Sequence, residues 1–399
     1  MSEPLTAQGF EAPPAVGRIR QRAAIVAAVG LVAMAGALLV SPARFFQSYL
    51  TAFIFWTSLS LGCLGLLMVQ HLSGGAWGLV IRRLLEAATK TLPLMAVLFV
   101  PLLFGLRHVY QWAQPEAVAS DPILQWKQQF LNVPFWTIRT FLYFAIWTGL
   151  ALLLAKWSAE QDREPSASQI RRFSRLSGPG LVVFGLTLSL ASIDWMMSVD
   201  PHWFSTIYGF IMIGGAGLSA LTFVVLCLAL LGGSAPLAGI VQPKHLHDLG
   251  KLIFAFVMLY AYFTFSQFLI VWSANLPEEI PWYIRRLSNG WQYVMLGLVL
   301  LHFALPFALL LSASIKQSLQ RLTSIALLVF VMRIADIHFQ VAPQFHEGAS
   351  LSWVDLAAIA GVGGVWVAAF CAFLKTRPLL PVNDPYFRQN VLAGTHGSH

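Results

Sequence analysis

Charge is what this sequence has least of. Only 11% of its 399 residues are Asp, Glu, Lys or Arg, against roughly one quarter in soluble domains, and that scarcity excludes a soluble enzyme. Paired with 57% hydrophobic residues, it also excludes a disordered chain, which needs low hydrophobicity and high net charge. Cysteine is nearly missing. Cys63, Cys227 and Cys371 stand singly within apolar runs, with no CxxC, CxxCH or Cys/His cluster, so no disulfide framework, zinc site, iron-sulfur cluster or covalently attached haem is encoded. Low-complexity sequence and residue-level repeats are lacking too. The formal net charge of +8 does not point to nucleic acid, because the Lys and Arg sit almost entirely between apolar runs, where they report membrane topology.

What the chain has is apolar length. Ten runs are long enough to cross a bilayer, over residues 23–40, 49–70, 91–112, 134–157, 179–200, 205–231, 248–272, 289–311, 322–341 and 356–374. Arg18, Arg20 and Arg22 precede the first as they would a signal peptide, but its apolar stretch is longer than a usual h-region and more spans follow, so a retained helix is expected. The fold class that follows is all-α: a polytopic membrane protein of about ten transmembrane helices. Short connections suit two up-and-down four-helix bundles, spans two to five and six to nine, plus two flanking helices. The expected organisation is an N-terminal tail over 1–22, a flanking helix over 23–48, a first bundle over 49–200, a second over 201–341, a flanking tenth helix over 342–374 and a C-terminal tail over 375–399.

Alternate connections differ sharply in charge. One side collects the basic residues from Arg18 through Arg82, Arg83, Arg163, Arg171, Arg172, Arg175, Lys244 and Lys316 to Arg377 and Arg388; the other has only Arg44, Arg107, Lys127, Arg285 and Arg286. Both termini are therefore expected to be cytoplasmic. Residues 77–90 read as an amphipathic helix, Leu79, Leu84 and Ala87 against Arg82, Arg83, Glu86 and Lys90, extending span three into the cytoplasm. Residues 114–133 and 273–287 are the connections expected to fold on the outer side, the second through Pro277, Pro281, Trp282 and Tyr283.

A charged side chain inside a span costs about 2.5 to 3.5 kcal/mol on insertion scales, so each one is a candidate for function. Asp194 lies in span five and Arg333, Asp336 and His338 in span nine, all toward the outer end. Arg333, Asp336 and Gln340 share one helical face, and Tyr260, Thr264 and Gln267 form a polar stripe on span seven. The expectation is one buried site between spans five and nine, in which Asp194 and Asp336 share Arg333. The plainer alternative is that Arg333 and Asp336 simply neutralise each other. On the inner side Asp248, Lys251 and Glu86 are close enough to water to be ordinary helix-end charges. His302 and His338 differ in depth by roughly 15 Å, and His396 and His399 are in the tail, so no axial pair for a b-type haem is available. Gly214, Gly215, Gly361, Gly363 and Gly364 are packing residues.

The run SIDWMMSVDPHWFSTIYGF, residues 192–210, and the run KLIFAFVMLYAYFTFSQFLIVWSANLPEEIPWYIRR, residues 251–286, resemble the second so-called quinone-binding membrane subunit of alternative complex III. That complex is the quinol:electron acceptor (cytochrome c) oxidoreductase of bacterial respiratory and photosynthetic chains. The family is related to the membrane subunits of polysulfide-reductase-type enzymes, and the likeness implies two four-helix bundles flanked by one outer helix at each end. It also implies a bacterial inner membrane location and partners: a multihaem cytochrome c, an iron-sulfur subunit, a homologous large membrane subunit that is the better candidate for the quinol site, and small membrane subunits. A terminal oxidase is a further possible associate, and lipids surround the whole.

By this resemblance haem c and iron-sulfur clusters belong to the partners, quinone or quinol to the complex, and no cofactor to this chain alone. The chain is then not catalytic by itself. A proton path is the role the resemblance suggests, with Asp194, Arg333, Asp336, Tyr260, Thr264 and Gln267 as its outer half, His302 in the middle, and Lys251, Asp248 and Glu86 on the inner side. The rival readings are a scaffold for periplasmic electron carriers and a ten-helix secondary transporter; the second lacks broken helices at matching positions of two halves.

Overall fold

The computed structural model describes residues 10–164 and 167–387, and Arg388, His396 and His399 lie outside them. The described residues are helical with no strand. Among the described residues ten helices are long and apolar enough to cross a membrane: α1 Pro14–Val40, α2 Pro42–Ser73, α3 Ala76–Phe104, α4 Val133–Arg163, α5 Ser168–Val199, α6 Tyr208–Leu231, α7 Pro243–Ala274, α8 Trp291–Leu310, α9 Leu319–Gln344 and α10 Trp353–Leu374. The chain is a multi-pass, all-helical membrane protein.

The helices α2, α3, α4 and α5 each touch the next and α5 returns to α2, closing one four-helix ring. A second ring closes in the same way through α6, α7, α8 and α9. The rings share a wall formed by α2 and α6, the two helices that are apolar all round and buried along nearly their whole length. By contrast α7 and α8 turn large apolar side chains outward, Tyr262, Phe265, Leu296 and Val299 among them, as lipid-facing helices do. The first and last spans, far apart in sequence, pack against each other. Their backbones meet at Gly30 and Gly361, where a Cβ added to Gly30 would lie 2.5 Å from the Gly361 Cα. Trp366 of α10 then reaches Ser60 Oγ of α2 at 2.8 Å.

Both described ends of the chain lie on one face, called here the terminal face: the Leu379 amide donates to the Phe10 carbonyl at 2.8 Å. Residues 379–387 are not a loose tail, since Leu380 and Phe387 are fully buried. On the opposite, loop face, Asp121 caps the short helix Pro122–Lys127 and Asn132 caps α4. The 273–287 connection forms the helix Ile280–Arg286, whose Trp282 stacks on Trp203 with centroids 4.6 Å apart.

Two spans are interrupted by proline. Pro93 starts a new helical segment after a break at Lys90 and Thr91 in α3. In α8, Pro306 cannot donate to the carbonyl four residues earlier, that of His302, and its ring crowds it. The preceding turn is a π-helix over Leu298–Ala304 with His302 inside it, a deformation found often at functional sites.

Candidate functional site

The second ring holds a polar cluster built on α9. Arg333 pairs with Asp336 one turn on. Across the ring, the Tyr260 hydroxyl of α7 donates to Asp336 Oδ2, and Gln340 Nε2 donates both to that oxygen at 3.1 Å and to the Tyr260 hydroxyl at 3.2 Å. The Arg333 guanidinium lies over the Tyr260 ring at 4.6 Å and reaches Ser219 Oγ of α6 at 3.4 Å. It occupies the space a side chain would take at Gly215, whose Cβ would stand 2.2 Å from Arg333 Nη2. Thus Gly215, read from sequence as a packing residue, is the bed of the arginine.

His302 completes the cluster. Its ring meets the Tyr260 ring edge-on at 5.1 Å, and its buried Nε2 has no hydrogen-bond partner. Arg333 Nη2 and Gln340 Oε1 are likewise buried and unpartnered. Three open positions around one carboxylate and one phenol are unusual, because a buried polar atom left unpaired costs about 1–3 kcal/mol. Ordered water is the ordinary way such positions are met.

Polar contact continues from the cluster to the loop face. Arg286, buried on the Ile280–Arg286 helix, donates to the Gln340 carbonyl at 2.6 Å and covers the Trp282 ring at 3.5 Å. Burial lowers its pKa from the usual arginine value to about 9, so it remains a cation at neutral pH. Of the stripe on α7, only Tyr260 enters the cluster. Thr264 bonds back to its own helix, and Gln267 turns to Ser205 at 2.8 Å and Tyr283 at 3.3 Å near the loop face.

Asp194 does not share Arg333. It faces Arg139 of α4 in a two-pronged ion pair, Nε to Oδ2 at 2.9 Å and Nη2 to Oδ1 at 2.6 Å, and accepts from the Tyr143 hydroxyl at 2.8 Å. The expected single site is therefore two sites, one per ring, each with an aspartate, an arginine and a tyrosine. Arg139 sits five residues into the apolar run 134–157, between the connection charges and the deeper acids that the sequence singles out. The signal was present: an arginine in a span needs a carboxylate, and Asp194 needed a cation.

Glu86 also departs from expectation. Instead of a wetted helix end it is buried, with Arg82, Arg83 and Ser158 donating to it at 3.1, 2.7 and 2.7 Å. Arg82 further donates to Asp384 at 2.7 Å and to Gln161 at 3.0 Å, while Arg83 pairs with Asp162. The charged face of the 77–90 helix is covered by α4 and by the chain after α10, so its amphipathic pattern marks an ion network inside the protein. Asp248 and Lys251 form the solvated pair foreseen, 3.4 Å apart and largely exposed.

Among the described residues no group of three His, Cys, Asp or Glu could hold a metal ion. Comparison with known protein families finds no matching family model, and comparison with curated proteins finds no matching relative.

Proposed function

We propose that this chain is a redox-silent membrane subunit of a bacterial quinol:electron acceptor oxidoreductase of the alternative complex III type, and that its second ring carries protons between the loop face and the bilayer interior. Quinol oxidation itself belongs, on this reading, to the partner subunits: a multihaem cytochrome c, an iron-sulfur protein and a larger homologous membrane subunit. The loop face is the periplasmic one and both termini are cytoplasmic, following the lopsided placement of Lys and Arg.

The observation that carries the proton role is the Arg333, Asp336, Tyr260, Gln340 and His302 cluster, with its unpartnered Nη2, Oε1 and Nε2 atoms. A tyrosine donating to a carboxylate, beside a neutral-capable imidazole, is a set of groups that can pass a proton by exchanging donor and acceptor roles. The Arg286 link supplies polar contact toward the loop face. In the assembled complex in vesicles, Asp336→Asn and Tyr260→Phe should lower proton release per quinol oxidised while electron transfer in detergent continues. Unchanged proton release in both variants sinks the reading.

A purely structural role is the second reading, and one observation favours it: each buried aspartate has its own arginine. In that case Asp336→Asn should reduce assembly and leave the proton stoichiometry of surviving complex intact.

A further inference from the structure

On the terminal face, the end of α4 and the start of α5 enclose a cleft of about 590 Å³ lined by Trp157, Ser168, Arg171, Arg172, Arg175 and Leu176. Three arginines fall within five residues, and among the described residues no carboxylate lines the cleft. Arg172 is neutralised by Glu160 at 2.7 Å and stacks on the Trp157 ring at 4.1 Å. Arg171 and Arg175 are exposed and have no ion-pair partner among the described residues.

The same face of α5 continues into the membrane span as an open apolar track. Positions 171, 175, 178, 182 and 185 advance by four, three, four and three residues, so they lie in one stripe along the helix. A Cβ at Gly178 or Gly185 would meet nothing within 4 Å, and Val182 between them is 65% exposed. A cationic pocket at the membrane surface thus opens directly onto an exposed apolar stripe of α5, of the kind an acyl chain can lie along. Guanidinium groups match phosphate oxygens in pairs, and a tryptophan at this level sits where headgroups meet acyl chains.

We propose that the cleft and the stripe together bind an anionic phospholipid of the leaflet on the terminal face, its phosphate on Arg171 and Arg175 and one acyl chain along Gly178, Val182 and Gly185. A free phosphate or a soluble anion would use the arginines and leave the track without purpose. Arg172, held by Glu160 and Trp157, forms the wall of the site. This assignment is independent of the proton role.

The test uses the full chain in phosphatidylcholine nanodiscs, with dibrominated phosphatidylglycerol or dibrominated phosphatidylcholine added as quencher. Quenching at Trp157 is read as the difference between the chain and its Trp157→Phe variant. Brominated phosphatidylglycerol should quench Trp157 at a lower mole fraction than brominated phosphatidylcholine, and Arg171→Gln and Arg175→Gln should each raise the half-quenching fraction about fivefold. The double variant Arg18→Gln/Arg22→Gln removes twice the charge of either single variant from the same face and should leave it unchanged. Equal quenching by the two lipids overturns the proposal, and so does an equal shift in the Arg18/Arg22 control, which would mean diffuse surface charge. Displacement of the brominated lipid by inorganic phosphate at constant ionic strength would reassign the cleft to a soluble anion and overturn it as well.

Discussion

Arg139 and Asp194 hold each other across α4 and α5 through two parallel hydrogen bonds, with neither side chain reaching the cluster in the second ring. The guanidinium is sandwiched further between the rings of Phe130 and Phe135, at 3.9 and 4.3 Å. Every strong interaction of the pair is thus local to the first ring. Arg139→Gln should leave a buried carboxylate uncompensated and destabilise the protein by about 3–5 kcal/mol. Replacing both partners with apolar residues, as in Arg139→Met/Asp194→Leu, should recover most of that loss in a thermal melt in detergent. No recovery would mean that the pair does more than neutralise itself.

Gly215 is predicted to be as important as the charges it borders. A methyl group there would stand 2.2 Å from Arg333 Nη2, so Gly215→Ala must push the guanidinium off Ser219 and Tyr260. The variant should reproduce the proton-release defect of Tyr260→Phe while Gly149→Ala, where an added Cβ meets nothing within 4 Å, changes nothing. Vesicle proton release with both variants checks the contrast.

Acid should loosen the loop face where α2 meets α10. Arg44 bonds His346 Nε2 and also Asp355 Oδ2, the latter at 2.6 Å. An arginine only donates, so that nitrogen must accept, which requires neutral imidazole. Burial, with the Arg44 charge beside it, lowers the His346 pKa below its usual value. The unfolded chain therefore takes up the proton first, and stability present at neutral pH is lost progressively as pH falls below about 6.5 toward the lower folded-state value. A melting temperature that drops between roughly pH 7 and 5, and drops less in His346→Gln, is the expected result.

The terminal segment should act as a structural part of the inner ion network. Asp384→Ala removes the 2.7 Å partner of buried Arg82, which keeps Glu86 and Gln161. The cost should be about 1.5–3 kcal/mol, the usual worth of a hydrogen bond to a charged group. Ending the chain after Arg377 should cost more, since it also removes fully buried Leu380 and Phe387. Thermal melts of the two variants rank them.

Reporter fusions test the orientation. Glu164 on the terminal face and Glu278 on the loop face are both exposed and are the sound fusion sites. Cytoplasmic signal at Glu164 and periplasmic signal at Glu278 are expected; the reverse at both would invert the topology.

Composition and hydrophobic run length alone determined that this is an all-helical protein with ten membrane spans, because bilayer thickness sets how many apolar residues a helix must string together. The Arg333 and Asp336 pair was legible for the same local reason: three residues apart on a helix means adjacent on its surface. The break at Pro306 could be anticipated, though not that it would set His302 on a π turn beside Tyr260. What only the tertiary structure decided is which buried charge meets which. Depth along the membrane allowed Asp194 to reach Arg333, yet the rotation of α5 within its own ring turns it to Arg139, and the chain after α10 folds back to bring Asp384 to Arg82. Such partners come from different helices, and their meeting depends on the order and rotation of helices around a ring. No spacing within a single span encodes that rotation, since it is set by how the side chains of all four helices pack together.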